Sequence, residues 1–225
     1  MGIRRVVDLS HALDAYIPMF PGLPAPEITE LLSREDSRSH YAGGATFVIH
    51  RYGFVGNSGT YLDAPFHRHA EGADLVALPL EATADLPGVV IDVRAAVERG
   101  ERVFGVELLA GLELAGRAVL LCTGWDRRWG GSDYLAPNPF LTAEAARLLV
   151  ERGAKLVAID SWNIDDTGDG ARPVHTILLR AGIPIVENLR GLDQLEGHSF
   201  RFTAVPLPIH GGSAVPVRAH AVLEA

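Results

Sequence analysis

Short apolar runs rich in valine, leucine and isoleucine recur along the chain, and they are bounded by residues such as glycine, proline and aspartate. Runs of this kind are typical of buried strands. They predict strands at 6–7, 46–49, 89–93, 118–123, 156–160 and 183–187. Helical periodicity occurs in fewer places, and it predicts helices over 105–114, 142–153 and 173–181.

The clearest of these helices is the one over 142–153. Thr142 is a good N-cap for it and Gly153 a good stop. Pro173 suits the first turn of the helix over 173–181, because an amide hydrogen at that position has no partner within the helix. Strands and helices alternate in the second half, which predicts an α/β fold with helices packed on a mixed sheet. No linker-like run or internal repeat divides the chain, so residues 1–225 are expected to form one domain.

The composition excludes several classes of protein. The 225 residues are 48% hydrophobic and 21% charged, which is enough to bury a core and is unlike a disordered chain. The net charge is -8 without any basic stripe, so no nucleic-acid partner is expected. No apolar stretch approaches the length of a membrane helix, so no membrane partner is expected either. The single cysteine, Cys122, lies in an apolar run and cannot form an internal disulfide, which favours a cytoplasmic location.

A polar segment over 50–69 is the first candidate for chemistry. Gly59 and Pro65 shape a tight path that can aim several side chains into one cleft. These side chains are Asn57, Tyr61, Asp63 and His67. The alternative is a polar surface loop, which is the better interpretation for any single histidine but explains the whole cluster less well.

Two further segments hold polar or aromatic residues without an obvious pattern. In the segment 156–187, His175 lies at a predicted helix start and Glu187 in a predicted strand, and their spacing alone assigns them no role. Trp125 follows a predicted strand and either lines a pocket or caps the core. Phe20 is either a pocket wall or a loop anchor. The chain has no serine-nucleophile elbow, no phosphate loop and no cysteine-based zinc pattern.

The segment 57–67 reads Asn-Ser-Gly-Thr-Tyr-Leu-Asp-Ala-Pro-Phe-His. It resembles the signature His-x-Gly-Thr-His-x-Asp-x-Pro-x-His of the cyclase and kynurenine formamidase-like family of metal-dependent hydrolases, which includes arylformamidases and isatin hydrolases. The likeness covers nearly the whole chain, with matched segments at 8–11, 78–81, 123–125, 153–160, 175–189 and 211–218. It implies a swivelling β/α domain with a mixed central sheet, a small-molecule substrate, and a homodimer or homotetramer that often completes its pocket from the neighbouring subunit.

The resemblance assigns metal-ligand roles to Asp63, His175 and Glu187, and an acid/base or metal-shell role to His67. Two ligand histidines of the family are replaced here, by Asn57 and Tyr61. An amide oxygen is a weak ligand, and a phenol must first lose a proton with a pKa of ~10. The site therefore holds either no metal or one weakly held divalent cation (Mn, Zn or Mg). We favour the metal-free arrangement, in which the amide and the phenol donate hydrogen bonds to the carboxylates.

The function that the resemblance implies is hydrolysis of an amide or formamide C–N bond in a small aromatic carbonyl substrate, as by an arylformamidase of tryptophan catabolism. Water attacks the carbonyl, His67 shuttles protons, and Asp63 with Glu187 orients His67 or a cation. The expected substrate-binding residues are Asn57, Tyr61, Phe20 and Trp125. Two alternatives stay open: a metal-independent cyclase or lyase acting on a polyketide-like substrate, and a ligand-binding pseudoenzyme.

Overall fold

The computed structural model describes residues 5–224, and a mixed sheet of nine strands is its framework. The strands are β1 Val6–Asp8, β2 Glu27–Leu32, β3 Ile49–Gly53, β4 Tyr61–Asp63, β5 Leu86–Asp92, β6 Val103–Phe104, β7 Ala118–Cys122, β8 Phe140–Leu141, β9 Leu156–Ile159, β10 Ile185–Glu187, β11 Phe200–Thr203, β12 Ala214–Pro216 and β13 His220–Leu223. The α-helices are α1 Arg94–Glu98, α2 Ala143–Glu151 and α3 Pro173–Arg180. None of the helices in residues 5–224 has the length and apolar character needed to cross a membrane.

The nine strands lie in the order β1-β13-β11-β5-β7-β9-β10-β4-β12. The four central strands are β5, β7, β9 and β10, and they run parallel to one another. The strands on either side of them pair in antiparallel fashion. All three parallel connections contain a helix, α1 before β7, α2 before β9 and α3 before β10, as parallel pairing requires a crossover. The predicted α/β fold with a mixed central sheet is confirmed.

Strand β7 lies at the centre of the sheet, and its sequence is apolar throughout. All five of its residues are buried. Val119 and Leu121 belong to an apolar cluster that also contains Leu149 of α2. Leu120 belongs to the other large cluster. Because alternate side chains of a strand point to opposite faces, a strand covered on both faces is apolar throughout.

The two helices with the strongest sequence signals are confirmed. Helix α2 is capped by Thr142, whose Oγ1 accepts a hydrogen bond from the N–H of Ala145 at 3.2 Å. Helix α3 begins at Pro173, as predicted. The helix predicted over 105–114 is wrong, because only Val106–Leu109 is helical there, as a single 3₁₀ turn. Gly111, with φ of 73°, then turns the chain away.

The buried strand predicted at 46–49 is also wrong. Strand β3 begins at Ile49 and pairs with β2 in a separate two-stranded ribbon. Almost every residue of this ribbon is exposed, including several apolar ones. These are Ile28, Leu31, Ile49 and Tyr52. An apolar run indicates a strand, but it does not say whether another element of the same chain covers it.

Gly88 in β5 lies against the ring of Phe200 in β11. A Cβ atom at position 88 would lie 1.9 Å from Cε2 of Phe200, so an alanine fits only if the ring or the strand moves. We expect Gly88→Ala to lower the free energy of unfolding by about 1–3 kcal/mol in urea denaturation. Gly170→Ala is the control, because a Cβ atom there meets nothing within 4 Å. Equal effects of the two substitutions would contradict this account of the β5–β11 contact.

His11 lies in a setting that disfavours its protonation. Its ring stacks on Trp129 with ring centroids 3.9 Å apart. Its Nε2 is buried and has no hydrogen-bond partner within residues 5–224. Burial, and then the charge of Arg190, lower the pKa of His11 from 6.5 to about 4. The folded protein therefore keeps this imidazole neutral in a pH range where the unfolded chain binds a proton.

The stability that depends on a neutral His11 is fully present above pH 6.5 and is lost as the pH falls towards 4. Between pH 7 and pH 5, we expect the free energy of unfolding to fall by roughly 1 kcal/mol more in the parent protein than in His11→Phe. Phenylalanine keeps the stacking on Trp129 and has no proton to bind. Urea denaturation of both proteins at the two pH values measures the difference, and parallel pH dependences would rule out this role for His11.

Candidate active site

The register between β4 and β10 brings three chemically active side chains together. The two strands are antiparallel, with Tyr61 opposite Glu187 and Asp63 opposite Ile185. Because alternate residues of a strand share a face, Tyr61 and Asp63 lie on one side of β4. Tyr61, Asp63 and Glu187 are all buried. A phenol and two carboxylates therefore meet inside the protein rather than at its surface.

His175 reaches the same place from the first turn of α3. Asp165 holds it there: one carboxylate oxygen accepts from the N–H of Val174 at 2.7 Å, and the other accepts from the N–H of His175 at 3.0 Å. The second oxygen also lies 2.6 Å from Nδ1 of His175. The opposite ring nitrogen, Nε2, lies 3.6 Å from Oδ2 of Asp63 and 3.5 Å from Oε1 of Glu187. Asp165 thus fixes the imidazole with Nε2 directed at both carboxylates.

Three of the four carboxylate oxygens of Asp63 and Glu187 accept hydrogen bonds. Asn57 Nδ2 donates to Oδ1 of Asp63 at 3.2 Å. The hydroxyl of Tyr61 donates to Oε2 of Glu187, and the N–H of Ile164 donates to Oε1 at 2.7 Å. Oδ2 of Asp63 is buried without a hydrogen-bond partner within residues 5–224. The amide and the phenol therefore donate to the carboxylates, as the sequence predicted, but they leave one oxygen unsatisfied.

Burial and mutual proximity shift the pKa values of this cluster. Burial raises the pKa of Glu187, and the charge of His175 offsets only part of that shift. Burial alone would lower the pKa of His175, but the negative charge of Glu187 and the bond to Asp165 outweigh it and raise the pKa. Burial, together with the charge of Glu187, also raises the pKa of Tyr61 well above its usual value. These shifts favour a neutral Tyr61 whose hydroxyl donates to Glu187.

The spacing of the remaining donors fits a small divalent cation. One atom from each of Asp63, His175 and Glu187 lies within 4.8 Å of the others. The separations of 3.5 and 3.6 Å from His175 Nε2 are too long for good hydrogen bonds. They are close to the ~3.4 Å expected between neighbouring ligands of a tetrahedral ion bound at about 2.1 Å. A metal-binding histidine usually has its other ring nitrogen hydrogen-bonded to a carboxylate, and Asp165 holds His175 in this way.

A cavity of about 260 Å³ opens above this cluster. Its floor includes Asn57, Tyr61, His67 and His175. The imidazole of His67 is 32% exposed, and its Nδ1 lies 3.5 Å from Oδ1 of Asp63. Among the predicted catalytic residues, His67 is thus the one that both contacts the buried cluster and remains accessible to a substrate.

Part of the cavity wall is apolar and aromatic. Phe20 lines it, as one of its two sequence interpretations predicts, with its ring centroid 5.7 Å from that of Trp162. Trp162 itself lines the cavity, together with Pro18, Leu23 and Leu135. Aromatic and aliphatic walls above a polar floor are typical of sites for small aromatic ligands.

The prediction that Trp125 lines the pocket is wrong. Trp125 is 5% exposed and packs in a cluster with Tyr134 and Trp162. Its indole N–H donates to the backbone oxygen of Tyr134 at 2.8 Å, and the guanidinium of Arg128 lies over its ring. Trp125 therefore supports Trp162, which forms the cavity wall.

The residues of the site that sequence reasoning missed include Asp165, Trp162, Arg68 and Arg172. Asp165 precedes the predicted helix start at Pro173 by eight positions, so the capping interaction does not appear as a local motif. Arg68 directly follows the signature segment and could have been noticed there. Trp162 and Arg172 carry no sequence signal, because only the path of the chain between β9 and α3 brings them to the cavity.

Comparisons with known proteins agree with this architecture. The model of the Cyclase family, described as "Putative cyclase", matches residues 7–166. The kynurenine formamidase of Geobacillus thermodenitrificans is 29% identical over 215 residues, covering 95% of each chain. Isatin hydrolase A of Ralstonia solanacearum superposes with a TM-score of 0.85 at 28% identity, covering 98% of this chain and 92% of that one. Isatin hydrolase A of Labrenzia aggregata, bound to benzyl benzoate, gives 0.84 at 27% identity, covering 97% and 93%.

The family match begins in β1 and includes both β4, with Asp63, and the turn that holds His67. The structural similarity extends over the remainder, including α3 and β10, which supply His175 and Glu187. The resemblance recognised in the segment 57–67 is therefore confirmed over most of the chain. This chain belongs to the cyclase family.

Proposed function

We propose that this protein hydrolyses an amide or formamide C–N bond in a small aromatic carbonyl compound. The observation that carries the proposal is the cavity in which His67 and the Asp63–His175–Glu187 cluster lie beneath apolar and aromatic walls. The names of its relatives, kynurenine formamidase and isatin hydrolase, support the same chemistry. The benzyl benzoate bound to the isatin hydrolase of Labrenzia aggregata further supports a pocket for aromatic molecules.

Asp63, His175 and Glu187 hold one divalent cation in this proposal: Mn, Zn or Mg. The unsatisfied Oδ2 of Asp63 and the direction of His175 Nε2 support it, and they lead us to replace the metal-free arrangement that the sequence favoured. When bound, such a cation supplies Lewis-acid polarisation of the substrate carbonyl and makes water more acidic. The two further ligand histidines of the family are replaced by Asn57 and Tyr61, so only three protein ligands remain and the binding is weak.

His67 acts as the general base and then as the general acid. Its imidazole takes a proton from a water molecule while the water oxygen attacks the carbonyl carbon. The C–N bond then breaks, and His67 returns the proton to the leaving nitrogen, so that a formamide gives formate and an amine. Asp63 Oδ1 lies 3.5 Å from His67 Nδ1 and orients the imidazole in both steps.

Asn57 and Tyr61 have two roles in the proposed site. Their hydrogen bonds to Asp63 and Glu187 fix the positions of the carboxylates. Both residues also line the cavity, where they contact the substrate with Phe20 and Trp162.

We further propose that 1–225 forms one domain and that copies assemble as a homodimer or homotetramer. The β2–β3 ribbon supports the assembly, because it exposes Ile28, Leu31, Ile49 and Tyr52. A two-stranded ribbon is only marginally stable by itself, and a second copy packed on it would cover these side chains.

A cytoplasmic location and a role in tryptophan catabolism complete the proposal. Cys122 is a free, buried thiol, and burial raises its pKa, which suits a structural cysteine in a reducing compartment. The role in tryptophan catabolism rests on the names of the formamidase relatives. The acidic net charge of -8 supports a small-molecule substrate rather than a nucleic-acid partner.

Turnover of a panel of N-formylanilines tests the proposed reaction. We expect hydrolysis by the parent protein, and a loss of about 10²–10⁴-fold in kcat for His67→Ala, because the base is removed. His69→Ala is the matched control: His69 is two positions away, outside the cavity lining, with Nε2 3.0 Å from the backbone oxygen of Thr176. Similar losses in both variants would refute the assignment of His67. Binding without turnover of any member would indicate a pseudoenzyme, and ring closure without hydrolysis would indicate a cyclase.

Thermal melts in Mn²⁺, Zn²⁺ and Mg²⁺, together with elemental analysis of the purified protein, test the cation site. Because a cation binds only the folded state, the free energy of unfolding should rise by ~2.7 kcal/mol at a hundredfold excess over the dissociation constant. Asp63→Asn should lose most of this gain, whereas Asp169→Asn, at an exposed carboxylate, should keep it. A parent protein that contains no metal and whose melting point ignores all three ions would refute the site.

A further inference from the structure

Two arginines line the cavity, and neither has an acidic partner. Arg68 donates from Nε to Oγ1 of Thr176 at 3.1 Å and from Nη2 to the backbone oxygen of Ala171 at 2.7 Å. Arg172 donates from Nη1 to the backbone oxygen of Asp166 at 2.7 Å. Within residues 5–224, neither guanidinium forms an ion pair. Each is held by neutral acceptors, and Nη1 of Arg68 and Nη2 of Arg172 have no protein partner there.

Several other arginines of the described residues pair with carboxylates instead. Examples are Arg94, Arg99, Arg127, Arg128, Arg201 and Arg218. The carboxylates of the active-site cluster do not provide such partners for the cavity arginines. Asp63, Asp165 and Glu187 form ion pairs only with His67 and His175 within the described residues. Balancing the charge of the buried cluster is therefore not the role of the two guanidinium groups.

The backbone of Arg172 provides an independent observation. Its φ of 47° and ψ of 60° lie in the left-handed region. A bulky side chain rarely adopts this conformation, and glycine or asparagine would adopt it with less strain. Strain of this kind is characteristic of residues whose side chains have a function. An arginine at a position that suits glycine indicates that the guanidinium itself is required at the cavity.

We propose that Arg68 and Arg172 form an anion subsite that binds a carboxylate carried by the aromatic substrate. The planar guanidinium matches a carboxylate with paired hydrogen bonds, and both groups face a cavity whose walls bind the ring. The inference rests on the proposed function and defines its substrate class further: an aromatic amide that bears a negative charge near the scissile bond. The subsite favours charged substrates over neutral analogues, since only an anion forms charge-assisted hydrogen bonds with the guanidinium groups.

Calorimetric titration of the purified protein tests the subsite without any turnover. The probes are phenylacetate, its neutral isostere phenylacetamide, and acetate, which has the charge but no ring. We expect phenylacetate to bind at least about tenfold more tightly than either of the others. Arg68→Gln and Arg172→Gln should each weaken phenylacetate binding by about ten- to a hundredfold and leave phenylacetamide binding unchanged.

Arg180→Gln is the matched control, because Arg180 is exposed at the end of the same helix α3 and does not line the cavity. It removes the same charge and should leave all three affinities unchanged. Equal binding of phenylacetate and phenylacetamide, equal binding of acetate and phenylacetate, or an equal loss in Arg180→Gln would each overturn the proposal. Should Arg172→Gln fail to fold, Arg68→Gln decides the outcome, with Arg68→Lys expected to recover part of the affinity.

Turnover separates this inference from the proposed function. Two N-formylanilines are compared whose short ortho side chain ends in a carboxylate or in a primary carboxamide. We expect a higher kcat/KM for the carboxylate, and a loss of that preference in Arg68→Gln that arises mainly from KM. Equal kcat/KM values would overturn the anion subsite and leave the hydrolase standing. Hydrolysis of neither compound would refute the hydrolase, while the titrations would still decide whether the subsite exists.

Discussion

The antiparallel pairing of β4 with β10 is the contact on which the site depends. It places Tyr61 opposite Glu187 and brings Asp63 to the same face of the sheet. A shift of one residue in this register would turn Asp63 and Tyr61 to the opposite face, because side chains alternate along a strand. On its other side β4 pairs with β12, where Asp63 lies opposite Ala214 and Tyr61 opposite Pro216. A strand of only three residues thus has its register defined by neighbours on both edges.

The same arrangement requires two carboxylates to be buried, and burial of a charge is costly unless it is paired. The protein meets this requirement with a neutral amide, a neutral phenol, a backbone N–H and one imidazole. These partners are sufficient to keep Asp63 and Glu187 in place, yet they leave Oδ2 of Asp63 without a hydrogen bond. The folded chain is therefore prepared for a positive charge that its own side chains only partly provide. This is a property expected of a binding site rather than of a purely structural network.

Much of this arrangement could be predicted from the sequence, and the failures have physical causes. The central strands and α2 were predictable because continuous apolar runs and a capped amphipathic segment depend on local sequence. Asp63 and His67 could be identified from the signature, but His175 and Glu187 gained a role only through the family resemblance, since twelve positions of sequence do not define a contact. Trp125 was a wrong candidate for the cavity wall, because only the tertiary structure determines that Trp162 lines the cavity and that Trp125 packs behind it. The β2–β3 ribbon was missed for a similar reason: its apolar side chains have no covering element within residues 5–224.

The contacts just beyond the signature segment connect two parts of the site that the sheet does not connect directly. Arg68 bonds to Ala171 and Thr176, and the imidazole of His69 lies 3.0 Å from the backbone oxygen of Thr176. Side chains next to the turn that holds His67 therefore contact the helix that holds His175. These contacts lie outside the buried cluster of Asp63, His175 and Glu187, so a change of ligand residue, such as Asn57 or Tyr61 in place of histidine, leaves them intact.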